Sequence, residues 1–151
     1  MESVEIDSFD KAILAVLSVD GRISITALSR KIGLSKTPCQ ARIKRLEAAG
    51  FITGYRAIIN PIKLGLSHVS FVEVKLSDTR DKALAAFNAG VLAIKEIEQC
   101  HMIAGSFDYL LKVRTHNITD YRHVMGEKIS TLPHVSMTST FVAMEAIKEG
   151  E

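Results

Sequence analysis

Residues 33–52 read GLSKTPCQARIKRLEAAGFI, and the side chains there with chemistry to offer are those that meet nucleic acid. Thr37 and Gln40 carry a short hydroxyl and an amide, whose donors and acceptors match base edges. Lys36, Arg42, Lys44 and Arg45 are cations suited to phosphate oxygens, which add affinity but little sequence choice. Ser35 can serve either purpose. Upstream, Arg22, Arg30 and Lys31 extend the basic chemistry. Across residues 22–56, eight cations stand against one anion, Glu47, a local charge of +7 in a chain whose formal charge is +2. A solvated cationic helix face, or a helical hairpin with no nucleic-acid role, remains the plain alternative at this point.

Other chemistry is hard to find. The five histidines show no metal-ligand spacing, and no nucleophile elbow or phosphate loop occurs. Cys100 and His101 are adjacent in a strand-like run, so they would point to opposite faces and cannot act as nucleophile and base. Cys39 and Cys100 read as two thiols on the inner faces of different elements, not as a disulfide or metal pair. We therefore expect no catalytic constellation, no metal and no cofactor.

The 151 residues are 47% apolar and 24% charged, which suits a soluble globular protein of one ordinary domain or two small ones. No apolar run approaches the ~20 residues that span a bilayer. The acidic start, MESVEIDSFD, lacks the marks of a signal peptide, so a cytoplasmic protein is expected. Residues 1–56 have net charge +3 and residues 57–151 net charge −1, which assigns nucleic-acid affinity to the first third.

The candidate base readers need a helix to present them. Ser35 is a suitable N-cap for one running to Gly50, with Pro38 tolerated in the first turn. Cys39, Ile43, Leu46 and Gly50 recur as its inner face. Residues 24–32 predict a shorter helix with Ser24 as cap, Ile25, Leu28 and Ile32 inward, and Gly33 closing it. Together these make a helix-turn-helix. A first helix over residues 6–19, capped by Asp7 or Ser8, braces the pair through Phe9, Ile13, Leu14, Val16 and Leu17. Residues 51–60 then read as an extended segment. The expected division is a domain at 1–60, a linker at 61–66 and a second domain at 67–151.

In the second domain a strand is predicted at 69–76, with Val72, Val74 and Leu76 on one face. A helix capped by Asp78 or Thr79 follows, through about Ala89, with Ala83, Leu84 and Phe87 inward. Residues 97–104 and 108–115 form a hairpin about Gly105, Ser106 and Phe107. Asn117 caps the next helix, with Tyr121, Val124, Met125, Ile129 and Leu132 inward, and a long last strand covers 134–147. The order β-α-β-β-α-β is ferredoxin-like, so the fold class is α+β: a three-helix, winged helix-turn-helix domain followed by a ferredoxin-like domain. Val135, Met137, Phe141, Ala143 and Ile147 look too apolar for a bare sheet face, which predicts burial by self-association.

The helix-turn-helix above, followed by GSFDYLLKVR and LPHVSMTSTFVAMEAIK in a β-α-β-β-α-β domain, resembles the Lrp/AsnC, or feast/famine, transcription regulators. The resemblance covers residues 6–148. It implies a regulator that binds double-stranded DNA, forms homodimers through its C-terminal domain and often octamers, and responds to a small effector, usually an amino acid. By motif position the effector residues implied are Met102, Asp108, Ile118, Phe141, Val142 and Ala143, with the turn Gly105, Ser106 and Phe107 offering backbone groups to a ligand's ammonium and carboxylate. The last strand and the hairpin are most similar to a branch that includes activators of proline catabolism, so proline is the expected effector, with leucine or another apolar amino acid as alternative. Asp108 has two open readings: partner of an effector's ammonium, or a cap or salt bridge of the hairpin. An architectural, nucleoid-type protein with little sequence choice is the competing function. An enzyme or enzyme-regulatory module built on a ferredoxin-like dimer is the other.

Overall fold

The computed structural model describes residues 5–149, so the outer ends of the two expected domains, 1–4 and 150–151, lie outside it. The chain divides into two compact units, one ending at Ile58 and one beginning at Ile59.

The N-terminal unit has three helices: α1 (Ser8–Val19), α2 (Ile25–Ile32) and α3 (Lys36–Ala48). Asp7 and Asp10 form a reciprocal capping box that starts α1. Ser24 caps α2 by accepting from the Ala27 N–H, and Gly33 closes it in the left-handed region (φ 75°). Ser35 occupies the N-cap of α3, but its hydroxyl makes no capping bond. Pro38 stands at the third helical position and has no N–H, which removes one of the donors a serine cap takes. Gly50, expected on the inner face of α3, lies exposed past the helix end at φ 76° and turns the chain. Ile13, Leu28, Cys39 and Leu46 form the core, with Leu14, Leu17, Ile32 and Ile43 packed round it. Residues 53–60 carry no regular structure, so no wing strand is paired among the described residues.

The C-terminal unit is a four-stranded antiparallel sheet in the order β2-β3-β1-β4, with strands β1 (His68–Leu76), β2 (Ile97–Met102), β3 (Tyr109–Thr115) and β4 (Val135–Val142). Between β1 and β2 lies α4 (Asp81–Leu92); between β3 and β4 lies α5 (Ile118–Val124), which runs on into a wide π turn, Met125–Ile129. Val72, Val74, Leu111, Val113 and Tyr109 meet Phe87, Val91, Tyr121, Val124 and Ile129 in one core.

Five expectations change here. The segment expected as a linker holds a short 3₁₀ turn, Ile62–Leu64, closed by Gly65 at φ 77°. The helix expected from residue 78 or 79 starts at Asp81, because the Asp78 carboxylate takes the Arg80 N–H and guanidinium and makes a turn before it. It also runs past Gly90, where α4 comes so close to Leu132 that a Cβ would lie 2.6 Å from its Cδ2. The last strand ends at Val142 rather than 147, because β1 offers no partner beyond the Ala143 N–H to Val69 carbonyl bond. A register shift at Lys75/Leu76 also turns Val135 to the helix-side core, so it does not share a face with Met137 and Phe141.

Candidate nucleic-acid and effector surfaces

On α3, Lys36, Thr37, Gln40 and Lys44 are exposed, and none of their side chains makes a hydrogen bond or ion pair among the described residues. Gln40 and Lys44 are four residues apart and share one face. Ser35 and Arg22 are also exposed, Arg22 in the turn before α2. Glu47, the one anion of the basic stretch, lies three residues beyond Lys44 on that same side of α3 and accepts from the Tyr55 hydroxyl at 2.9 Å.

Arg42 and Arg45 behave differently. Arg42 Nη1 lies 2.7 Å from Asp7 and 2.9 Å from Asp10, and its guanidinium sits over the Phe9 ring, 5.4 Å from its centre. Arg45 Nη2 reaches the other Asp10 oxygen at 2.5 Å. Two of the expected phosphate cations therefore tie α3 to α1. Asp10 itself is wholly buried. Burial alone would raise its carboxyl; the Asp7 carboxylate at its N–H belongs to the cap, while the Asp7 backbone N–H, Arg42 and Arg45 outweigh burial and hold it at about 2. Sequence reasoning missed Asp10 as more than a helix residue. Its signal was present: an acid three residues after Asp7, and arginines at 42 and 45 on one helix side.

The expected effector residues fall into two groups. Gly105 and Ser106 are exposed in the β2–β3 turn, Phe107 is half-buried, and Met102 is exposed at the end of β2. Asp108 follows, beside the end of β1. Phe141 pairs with Phe71, Val142 with Ser70, and Ala143 bonds to Val69, near the start of β1. Ile118 opens α5 just past Thr115, which pairs with His68 at that same end. Along β1 the two groups are six residues apart, about 20 Å. No single protomer brings them into one pocket.

The Asp108 carboxylate accepts the Leu76 N–H at 2.7 Å, while its N–H donates to Val74 and its carbonyl accepts from Ile103. It fastens the hairpin to β1. Both thiols are free, and burial pushes each above its ordinary range, leaving them poor nucleophiles. No group of His, Cys, Asp or Glu among the described residues is arranged to hold a metal, and no helix there is long and apolar enough to cross a membrane.

Comparison with known proteins gives this division a family. Residues 6–53 match the model for winged helix-turn-helix DNA-binding domains, and residues 69–151 match the Lrp/AsnC ligand binding domain. The chain belongs to the Lrp/AsnC family. It is 63% identical over 145 residues to the proline dehydrogenase transcriptional activator of Rhizobium radiobacter, covering 96% of this chain and 93% of the relative. It is 44% identical to the leucine-responsive regulatory protein of Escherichia coli K12, covering 96% and 88%. A transcriptional regulator of Neisseria meningitidis solved with L-methionine superposes with a TM-score of 0.90 at 29% identity, covering 96% and 94%. This Lrp/AsnC member is thus a DNA-binding transcriptional regulator with a ligand-binding domain, and not an enzyme.

Within that domain the geometry of Asp108 makes a prediction. Asp108→Ala leaves the Leu76 N–H without its acceptor and should cost about 1–2 kcal/mol, read as a lowered Tm. Asp108→Asn keeps an acceptor oxygen and should recover most of that loss. An asparagine variant with restored Tm and unchanged amino-acid affinity marks Asp108 as a hairpin fastener. Lost affinity at restored Tm marks it as a ligand contact.

Proposed function

We propose that the protein is an amino-acid-responsive regulator that binds specific double-stranded DNA sites through α3 and responds through assembly of its C-terminal unit. The observation that carries the DNA part is the division of cations on α3. Arg42 and Arg45 are spent on Asp10, whereas Lys36, Thr37, Gln40 and Lys44 point outward unpaired. In this reading Thr37 and Gln40 meet base edges; Ser35, Lys36, Lys44 and Arg22 meet phosphates; and Arg42 and Arg45 set the angle at which α3 is presented.

The separation of the candidate effector residues, about 20 Å at the usual strand rise, supports a ligand site completed by two protomers, with the hairpin of one facing the Phe141 end of another. The exposed Phe71, Met137 and Phe141 on the helix-free sheet face support a homodimer, and dimers joined through these shared ligand sites would make the octamer. Proline is the effector favoured by the names of the relatives at 60% identity and above, with leucine and methionine next. Such a regulator works in the cytoplasm.

A melting scan against each of the twenty amino acids, run beside light scattering, tests the reading. A ligand that binds only the folded protein raises Tm by mass action, and one bound between protomers also changes particle mass. We expect proline at millimolar concentration to do both. No shift with any amino acid would return the protein to the architectural alternative.

A further inference from the structure

Ile58 ends one unit and Ile59 begins the other, so the length of free chain between them depends on where each end is fastened. On the far side the first fastening is Asn60, whose side-chain oxygen accepts from the N–H groups of Ile62 and Lys63 at 3.0 and 3.2 Å. On the near side the backbone is last held at Ile52. Its N–H donates to the Leu46 carbonyl, and its side chain packs on the helical core. Residues 53–59 carry no regular structure, and among the described residues one side chain of this run is hydrogen-bonded, that of Tyr55.

Tyr55 is fastened twice. Its hydroxyl donates to the Glu47 carboxylate at 2.9 Å, at the end of α3. Its ring lies against the turn before α2, where a Cβ on Gly21 would stand 3.4 Å from its Cδ1. Both partners belong to the N-terminal unit. Burial and the Glu47 carboxylate hold the phenol above its ordinary range, so it stays a donor. The side chain is 54% exposed, so these two contacts, rather than core packing, hold it in place.

With this latch closed, four residues, 56–59, separate Tyr55 from Asn60, and their five backbone steps reach at most about 18 Å. With it open, seven residues, 53–59, separate Ile52 from Asn60, and eight steps reach about 28 Å. Two protomers together gain about 20 Å, roughly six base pairs at about 3.4 Å each. A two-fold DNA-binding dimer needs its half-sites on one face of the duplex, a helical turn or a multiple of it apart. A short tether enforces that phase, and a longer one forgives departures from it.

We propose that Tyr55 and Glu47 are a positioning pair that sets the spacing between the two DNA half-sites a homodimer accepts. The inference rests on the dimeric, sequence-specific reading above and adds to it. The α3 helix chooses the bases, and the latch chooses how far apart two such sets of bases lie.

Duplexes carrying two half-sites recovered by in vitro selection test this on the full chain, with the second half-site moved one base pair at a time through a helical turn. A duplex with a single half-site is measured beside them. Across the series the parent's affinity should vary by about tenfold or more, with one preferred spacing. Tyr55→Phe keeps the ring and removes the donor. Its affinity should vary by about threefold or less across the series, and its affinity for the single half-site should stay within about twofold of the parent's. Glu47→Ala should flatten the profile in the same way once each value is divided by its own single-site affinity. Glu47→Gln, which keeps an acceptor oxygen, should restore it. A Tyr55→Phe profile as steep as the parent's overturns the proposal. So does a loss at the single half-site equal to the loss at the paired one, which would make the bond a brace for α3 alone. A flat parent profile, with the single half-site still distinguished from unrelated DNA, overturns the latch and leaves the sequence-specific reading standing. A parent that binds unrelated DNA as tightly as the selected duplex overturns that reading and this inference with it.

Discussion

Asp10→Ala is expected to destabilise the N-terminal unit by about 3 kcal/mol and to abolish DNA binding near its lowered Tm. The carboxylate is wholly buried and is shared by Arg42 and Arg45, so its removal leaves two guanidiniums facing each other with only Asp7 for one of them. Breaking a buried ion pair typically costs about 3–5 kcal/mol, and partial exposure of both arginines places this case at the lower end. The capping box of α1 loses its second half as well. Acid should act in the same direction. A carboxyl held near 2 rather than its ordinary 3.8 contributes stability that is complete above about pH 4 and is lost as pH falls toward 2. The amount at neutral pH is about 2 kcal/mol. Asp10→Asn should therefore be less stable at pH 7 and lose less on going to pH 3 than the parent. Asp78 is also held at about 2, by the Arg80 guanidinium beside it, but it lies in the other unit and is common to both proteins, so the difference between them isolates Asp10.

Gln40→Ala and Lys44→Ala should separate sequence choice from affinity. An amide paired with a base edge carries about 1–3 kcal/mol of discrimination, so Gln40→Ala should lose roughly 5- to 150-fold preference at one operator position and little affinity for unrelated DNA. Lys44 presents a point charge one turn further along the same face. Lys44→Ala should weaken all sequences alike and reduce the slope of log affinity against log salt by about 1. Binding measured on an operator series at two or more salt concentrations distinguishes the two. If both variants bind every sequence as the parent does, α3 does not lie in the groove.

The helix-turn-helix was legible because its punctuation is local. Ser24, Gly33 and Pro38 act within one turn of the backbone they control. The β-α-β-β-α-β order was legible for a similar reason: Val72, Val74 and Leu76 alternate cleanly, and Asn117 caps α5 as read. What sequence could not show were relations between distant residues. Arg42 and Arg45 look like phosphate ligands until Asp10, some thirty residues earlier, folds against them. The end of β4 depends on where β1 begins, and the face taken by Val135 depends on a bulge opposite Leu76. The π turn after α5 leaves no mark in the hydrophobic pattern, since Tyr121, Val124 and Ile129 remain apolar at either phase.

Ligand and DNA that are coupled through assembly must obey reciprocal linkage, which one pair of titrations measures. Affinity for a duplex recovered by in vitro selection is measured with and without saturating proline, and affinity for proline is measured with and without the duplex. Coupling through one set of assembly states requires the same factor in both directions. Equal factors of about 5- to 150-fold are expected, with a change in particle mass over the same ligand range. Proline that binds tightly yet leaves DNA affinity and particle mass unchanged would contradict that coupling.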